Sequence, residues 1–249
     1  MDQGMYTAAA GAIAMEERLN VISNNVANIN TIGFKKDQVS FKQFSKDLDT
    51  SMLAQGQYKI IPIDVIALNP SIDVTPGTPM ETGNPLDVAI NGEGFFVINT
   101  VGGPRYTRAG SFQLNTDNVL VTPQGYRVQG ENGDIPIDIT TGEGVIGIDS
   151  RGTINYDNTD VDTLRVVQIP SEALVRKGNN LFDVKQGYTP VPVEKPSINQ
   201  SYLEAANVEP VREMVDMIAT QRAYDAFQKM IRSINDAYSF SMRNVGTVA

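Results

Sequence analysis

From Met5 onward, apolar side chains recur at Met5, Ala8, Ala12, Met15, Leu19, Ile22, Val26 and Ile29, in alternating steps of three and four. That alternation lays one unbroken seam along a helix at coiled-coil spacing. It predicts a helix over 3–30, roughly 40 Å long at 1.5 Å per residue. The seam's end fills with Asn24, Asn25, Asn28 and Asn30, whose amides compete for nearby backbone groups and make poor helix. Gly33, after this Asn-rich approach, marks the stop. On the heptad frame Asn24, Asn25 and Asn28 flank the seam. There an amide can meet a donor or an acceptor of an adjacent chain, or simply cap a fraying end. Spacing leaves both readings open.

The other end of the chain mirrors this one. Asn207 is the predicted N-cap, with Glu209 and Pro210 in the first turn of a helix running to about Met242. Val211, Val215 and Ile218 make one apolar stripe. Met217, Thr220, Tyr224, Phe227, Ile231, Ile234 and Tyr238 make a second, strict heptad stripe. Two stripes are wider than one partner helix requires, so this helix expects more than one neighbour.

Between the helices the period changes. "LDVAINGEGFFVI", "PRYTRAG", "VLVTPQGYRVQG", "IPIDI", "VIGIDSRGTINY" and "LRVVQI" are short apolar or alternating runs broken by Gly, Asn, Asp and Pro. They predict an antiparallel β domain over 85–185, its strands falling within about 85–170, with "NTDN" at 115–118 as a hairpin turn. Residues 36–84 and 186–204 are rich in turn formers and read as extended connectors. The predicted class is α+β. Residues 1–35 and 205–249 form a coiled-coil-like, discontinuous helical assembly domain around the central antiparallel β domain.

Composition narrows the chemistry. The 249 residues are 41% hydrophobic, an ordinary globular share that argues against wholesale disorder. Net charge is −9; residues 1–36 and 204–249 are nearly neutral, and the middle carries 20 acids against 12 bases. An acidic middle speaks against nucleic acid as a partner, and near-neutral ends let identical ends approach. Cysteine and histidine are absent, which removes thiol nucleophiles, disulfides, histidine bases and the usual zinc, iron and copper ligands. No apolar run is long enough for membrane insertion. The N-terminal "MDQGMYTAAAGAIAMEERL" starts acidic and lacks a continuous apolar stretch, so no cleavable signal peptide is expected.

The remaining motifs read as structure. "GEGVIG" at 142–147 has G-x-G-x-x-G spacing, but a strand-like run follows where a dinucleotide site needs a helix N-terminus. "DNTDVD" at 157–162 and "NTDN" offer carboxylates without the rest of a helix–loop–helix calcium site. Acidic side chains in β turns account for both. "NQS" at 199–201 matches a glycosylation acceptor, too common a pattern to decide anything. No catalytic residue, metal ligand or cofactor is expected. The heptads carry more weight: leaving six large seam residues in water forgoes on the order of 10 kcal/mol. Plain core would cover one stripe, and burial between subunits is expected to cover the rest.

Both ends also carry a resemblance. "AMEERLNVISNNVANINTIGFKK" resembles the N-terminal signature of the bacterial flagellar rod and hook proteins, and "YLEAANVEPVREMVDMIATQRAYDAFQKMI" their C-terminal one. "TGNPLDVAINGEGFFVI" with "YTRAGSFQLNTDNVLVTPQGYRV" is similar to the β segment they share. The start "MDQGMYTAAAG" and the short connector look most like the proximal-rod type, with a distal-rod or hook-type axial protein as the alternative. The resemblance implies a structural subunit of the basal-body rod that assembles helically through its terminal helices and passes torque from motor to hook. It implies as partners other copies, other rod and hook axial proteins and the flagellar export apparatus. It also implies a periplasm-spanning location. Its packing residues would be Met5, Ala8, Ala12, Met15, Leu19, Ile22, Asn24, Asn25, Val26, Asn28, Ile29, Gly33 and Phe34, with Val211, Val215, Ile218, Tyr224, Phe227, Ile231, Ile234 and Tyr238. The readings from other classes are a secreted carbohydrate-active enzyme with a carboxylate pair on the β domain, and an adhesin or other extracellular filament subunit.

Overall fold

The computed structural model describes residues 2–43, 66–139, 144–157 and 159–245. Helix α1 (Asp2–Ala27) leads to β1 (Asp37–Gln43), β2 (Ile66–Ile72), β3 (Pro79–Glu81), β4 (Val88–Ile90), β5 (Phe95–Thr100) and β6 (Gly103–Thr107). Then come β7 (Gln113–Leu114), β8 (Leu120–Val121), β9 (Arg127–Val128), β10 (Ile146–Ile148), β11 (Thr153–Tyr156), β12 (Thr159–Thr163) and β13 (Val166–Gln168). Next are β14 (Leu174–Arg176), β15 (Phe182–Val184), β16 (Val191–Pro192), β17 (Ile198–Gln200) and β18 (Tyr202–Glu204), and helix α2 (Pro210–Val245) ends the described chain. Two compact units result. One comprises Met1–Val26, Asp37–Ser71 and Pro210–Ala249; the other comprises Ala27–Lys36 and Ile72–Glu209.

The α+β class is as the periodicity predicts, with details that differ. α1 ends at Ala27, where the asparagines take over, and Asn28 instead anchors a turn through its carbonyl and its side chain to Thr31. Residues 36–84, which read as connector from composition, contribute β1, β2 and β3. "IPIDI" forms no strand, yet Ile135 and Ile137 are fully buried. β10 and β11 pair as a hairpin across the end of "GEGVIG", so no helix follows those glycines. "NTDN" does turn the chain between β7 and β8, with Asn118 at φ 57°.

In the second unit the largest sheet runs β14-β15-β6-β5-β9-β8-β7, with β13 joining β5 to β16. β4 pairs with β17, and β3 with β18, antiparallel in both cases. One apolar cluster gathers Phe96, Ile98, Leu120, Val128, Ile154 and Leu164; a second gathers Phe95, Val97, Val167, Leu174 and Phe182. The β4–β17 and β3–β18 pairings draw the return segment 198–204 back to the beginning of the β region.

Three segments distant in sequence meet at one buried carboxylate. Glu204, on β18, takes a hydrogen bond from Lys35 Nζ at 2.5 Å and one from the Gly77 N–H at 2.8 Å, both on Oε1. Its Oε2 lies 2.9 Å from Arg108 Nε, an ion-pair contact without hydrogen-bond alignment. Lys35 is fully buried and Arg108 nearly so. Lys35 also donates to Thr75 O at 2.7 Å, and Arg108 donates to the carbonyls of Gly94 and Gly92. Burial pulls the Lys35 ammonium below the usual lysine range, and Glu204 offsets that in part. The backbone follows the same path. Gly33 N–H donates to Glu204 O at 2.7 Å, and at φ 65° a Cβ there would come within 2.5 Å of the Arg108–Ala109 backbone. Only glycine fits.

Asn207 seals this junction and is not the helix cap that its position predicted. Its Oδ1 accepts the Lys36 N–H at 2.7 Å, and its Nδ2 donates to the carbonyls of Asp73 and Thr75. Pro210 opens α2 where a missing N–H costs nothing. Asp73 is held by the Thr75 hydroxyl and N–H and by Lys36 Nζ at 3.6 Å. Burial works to raise its carboxyl, and these partners outweigh it, leaving it below the usual aspartate value.

In the first unit α1 and α2 pair antiparallel. Gly11 faces Phe227 so closely that a Cβ would lie 2.5 Å from the ring. Fourteen residues on, Asn25 meets Glu213, fourteen residues before Phe227, with Nδ2 3.5 Å from Oε2. The two contacts fix one register over about 21 Å of helix. Asn25 is buried and also reads the backbone of β1: its Nδ2 donates to Asp37 O and its Oδ1 accepts Asp37 N–H, each at 2.9 Å.

Three outcomes follow from these contacts. Glu204→Gln strands two buried cations and is expected to cost about 3–5 kcal/mol in chemical denaturation. Lys35→Met leaves Glu204 its Gly77 N–H and Arg108 and should cost about 1–3 kcal/mol; equal losses would contradict the arrangement. Gly11→Ala should destabilise the full chain although alanine favours helix by about 1 kcal/mol, and Phe227→Leu in the same chain should restore it. Because the folded Asp73 carboxyl lies below its unfolded value, its stabilisation is whole above about pH 4 and fades as pH falls through the lowered value. Asp73→Asn should therefore flatten the acid limb of the stability curve.

Candidate assembly surfaces

The helix pair divides the expected packing residues into two groups. On α1, Ala8, Ala12, Ile22 and Asn25 are buried within the chain, while Met15, Leu19 and Val26 are half-buried. Ala8, Gly11 and Ala12 are small, so α2 can bring Phe227 down onto the α1 backbone. On α2, Tyr224, Phe227, Ile231, Ile234 and Tyr238 are half-buried, and Thr220 is buried. The strict heptad stripe of α2 is therefore the one that carries Phe227 to α1.

Gly33 and Phe34 have partners inside the β unit. Phe34 is buried, with the Arg176 guanidinium 4.7 Å from its ring centroid. Asn180 Nδ2 donates to Ile32 O at 2.7 Å, and Arg176 donates to Lys35 O. Asn28 and Ile29, at the start of this segment, are half-buried. The expected contact of these residues with neighbouring chains is thus joined by an internal role: they dock the segment that leaves α1.

The shorter stripe on α2 has the opposite character. Val211, Met214, Val215 and Ile218 are each more than half exposed, at i, i+3, i+4 and i+7 on one face. On α1, Tyr6 and Ile13 are 75% and 64% exposed, and Met5 and Asn24 are exposed too. Toward the end of α2, Phe240 and Met242 are open to solvent. Sequence reading found Val211, Val215 and Ile218 but missed Tyr6, Ile13 and Met214. Their signal was present in the seven-residue step from Tyr6 to Ile13, away from the seam. Monomers seldom leave such contiguous apolar surface open, and its usual meaning is an interaction site.

Three carboxylates of the β unit are engaged by neighbouring groups. Asp162 accepts from Asn132 Nδ2 and from the Thr163 N–H; Asp149 accepts from Arg151 and Thr153 N–H groups; Asp134 meets Arg127 and Gln129. Among the described residues no group of three or more acidic, histidine or cysteine side chains could hold a metal ion, and no helix is long and apolar enough to cross a membrane.

Three family models match the chain in order. Residues 5–35 match the family model described as "Flagella basal body rod protein", 89–156 the "Flagellar hook protein FlgE/F/G D1 domain", and 199–243 the "Flagellar basal body rod FlgEFG protein C-terminal". The chain is similar to the flagellar basal-body rod protein FlgF of Caulobacter vibrioides, 31% identical over 251 residues and 100% of each chain. FlgF of Rhizobium meliloti is 30% identical over 253 residues, 99% of each chain. FlgG of Agrobacterium fabrum is 35% identical over 266 residues, 98% of this chain and 99% of that one. The exposed helix surfaces and the engaged carboxylates agree with what these relatives are, and the chain belongs to the flagellar basal-body rod protein family, a family of structural rod subunits rather than enzymes.

Proposed function

We propose that this chain is a proximal-rod subunit that assembles helically through α1 and α2 and passes torque from the motor toward the hook. The observation that carries this reading is the open apolar face of Val211, Met214, Val215 and Ile218 on a helix of a rod-family chain. Each such side chain gains roughly 1.5–3 kcal/mol on burial. Coiled-coil-like packing in the tube would add neighbours to the antiparallel pair, with Met5, Asn24, Tyr6 and Ile13 also meeting adjacent chains. The assembly part is then residues 1–26 and 210–249, narrower at both ends than the heptads suggest. The partners are further copies and other rod and hook axial proteins. Delivery is by the flagellar export apparatus, to a rod that spans the periplasm. The proximal assignment draws on the start "MDQGMYTAAAG" and the short connector before "TGNPLDVAI".

Cryo-microscopy of isolated basal bodies tests the whole reading: density for this chain is expected in the proximal rod, and its absence from the rod would end the proposal. Val215→Asp tests the face. The variant should melt like the parent chain, because Val215 is exposed in it, yet enter few or no rods; normal incorporation would remove Val215 from any subunit contact. Ile22→Asp serves as the contrast, since Ile22 is buried in the chain and the variant should lose stability before assembly begins.

A further inference from the structure

The two open apolar patches of the helix pair lie at different levels, and the register converts that difference into a length. With Gly11 facing Phe227 and Asn25 facing Glu213, Tyr6 is level with residue 232 and Ile13 with residue 225. The patch Val211–Ile218 is therefore displaced by fourteen residues, about 21 Å along the helices, from the patch Tyr6–Ile13. Both patches span eight residues. The charges beside them are mixed: Arg18 follows the two acids after the α1 patch, and Glu209, Glu213 and Asp216 accompany Arg212 around the start of α2. Exposed Glu16 and Glu17 follow Ile13, and exposed Arg212 sits within the α2 patch.

We infer that these are two halves of one contact between copies: Tyr6 and Ile13 of one subunit seat against Ile218 and Val211 of the next. Tyr6 faces Ile218, Ile13 faces Val211, and Ala9 and Ala10 leave room for Met214 and Val215. Glu16 and Glu17 then lie about one turn from Arg212, within reach of its guanidinium. α1 and its neighbour's α2 run antiparallel, as the helices do within one chain, so every copy points the same way along the axis. Each copy is shifted by about 21 Å against the next. A patch that meets a different patch makes a heterologous contact, which repeats without closing on itself. The inference rests on the rod-subunit reading and names the partner face that would serve it.

The parent chain has no cysteine, so introduced pairs report cleanly. Ile13→Cys with Val211→Cys in one chain cannot bridge internally. Their levels differ by about 21 Å, whereas a disulfide needs Cα atoms about 4.4–6.8 Å apart. Oxidation of basal bodies carrying this chain should give ladders of the chain with itself, as should Tyr6→Cys with Ile218→Cys. Cross-links from Ile13→Cys alone, or from Ile13→Cys with Ile218→Cys in place of the expected pairs, would overturn the arrangement. Variant rods that form but yield neither expected pair would overturn it too, leaving the rod-subunit reading intact; absence of the chain from rods would remove both. As a second measurement free of cysteine, Arg212→Glu should reduce rod number several-fold, and Glu16→Lys with Glu17→Lys in the same chain should restore it. Failure of either step counts against the contact.

Discussion

Glu204 is a carboxylate with almost no access to water, set between a lysine and an arginine that have none either. Such a group is tolerable only with counter-charges close by, and the chain is bent to bring them: Oε1 is hydrogen-bonded and Oε2 is ion-paired. Lys35 must arrive from the segment after α1, Gly77 from the segment after β2, and Arg108 from beyond β6. Each brings its backbone with it, and Asn207, three residues past the carboxylate, ties Lys36, Asp73 and Thr75 together with its own amide. A hydrophobic core would accept several alignments of these segments, but a buried charge accepts one.

The helical unit solves a different problem. Its inner face is a contrast of sizes: alanine and glycine on α1, and tyrosine, phenylalanine and isoleucine on α2. That contrast lets the axes approach at Gly11 and lets Asn25 close the far end against Glu213 and β1. The seam is only partly covered inside the chain: Ala8, Ala12 and Ile22 are buried, Met15, Leu19, Val26 and Ile29 half-buried, and Met5 exposed. The apolar side chains left open are Val211, Met214, Val215, Ile218, Tyr6 and Ile13, not the best-patterned residues.

The helices and the β character of the middle were legible because period is a local property. The 3-4 alternation from Met5 to Ile29 and the heptads from Met217 to Tyr238 needed no knowledge of the fold. Which stripe faces inward was not legible, since Ile218 and Ile231 look alike until a partner is specified. The asparagines show the same limit. Asn25 differs from Asn24 only by one helical step, yet one reads the backbone of β1 and the other is exposed. Lys35 and Arg108 carry no local sign of burial, because their counter-charge lies 169 residues from one of them in sequence. Nothing local announces such a pairing. Asn207 had the spacing of an N-cap, but its side-chain oxygen takes the backbone N–H of Lys36.

The chain crosses between its two units four times, after Val26, Lys36, Ser71 and Glu209, and the last of the three charged partners to be synthesised is Glu204. A polypeptide emerging from its N-terminus therefore carries Lys35 and Arg108 without the carboxylate that pairs with both until more than four-fifths of its length is out. Native burial of either cation before that moment is opposed by desolvation. The β unit is thereby timed: its closing step waits for the arrival of β18, and α2 follows directly behind it. A chain cut short anywhere before residue 204 has no way to finish either unit.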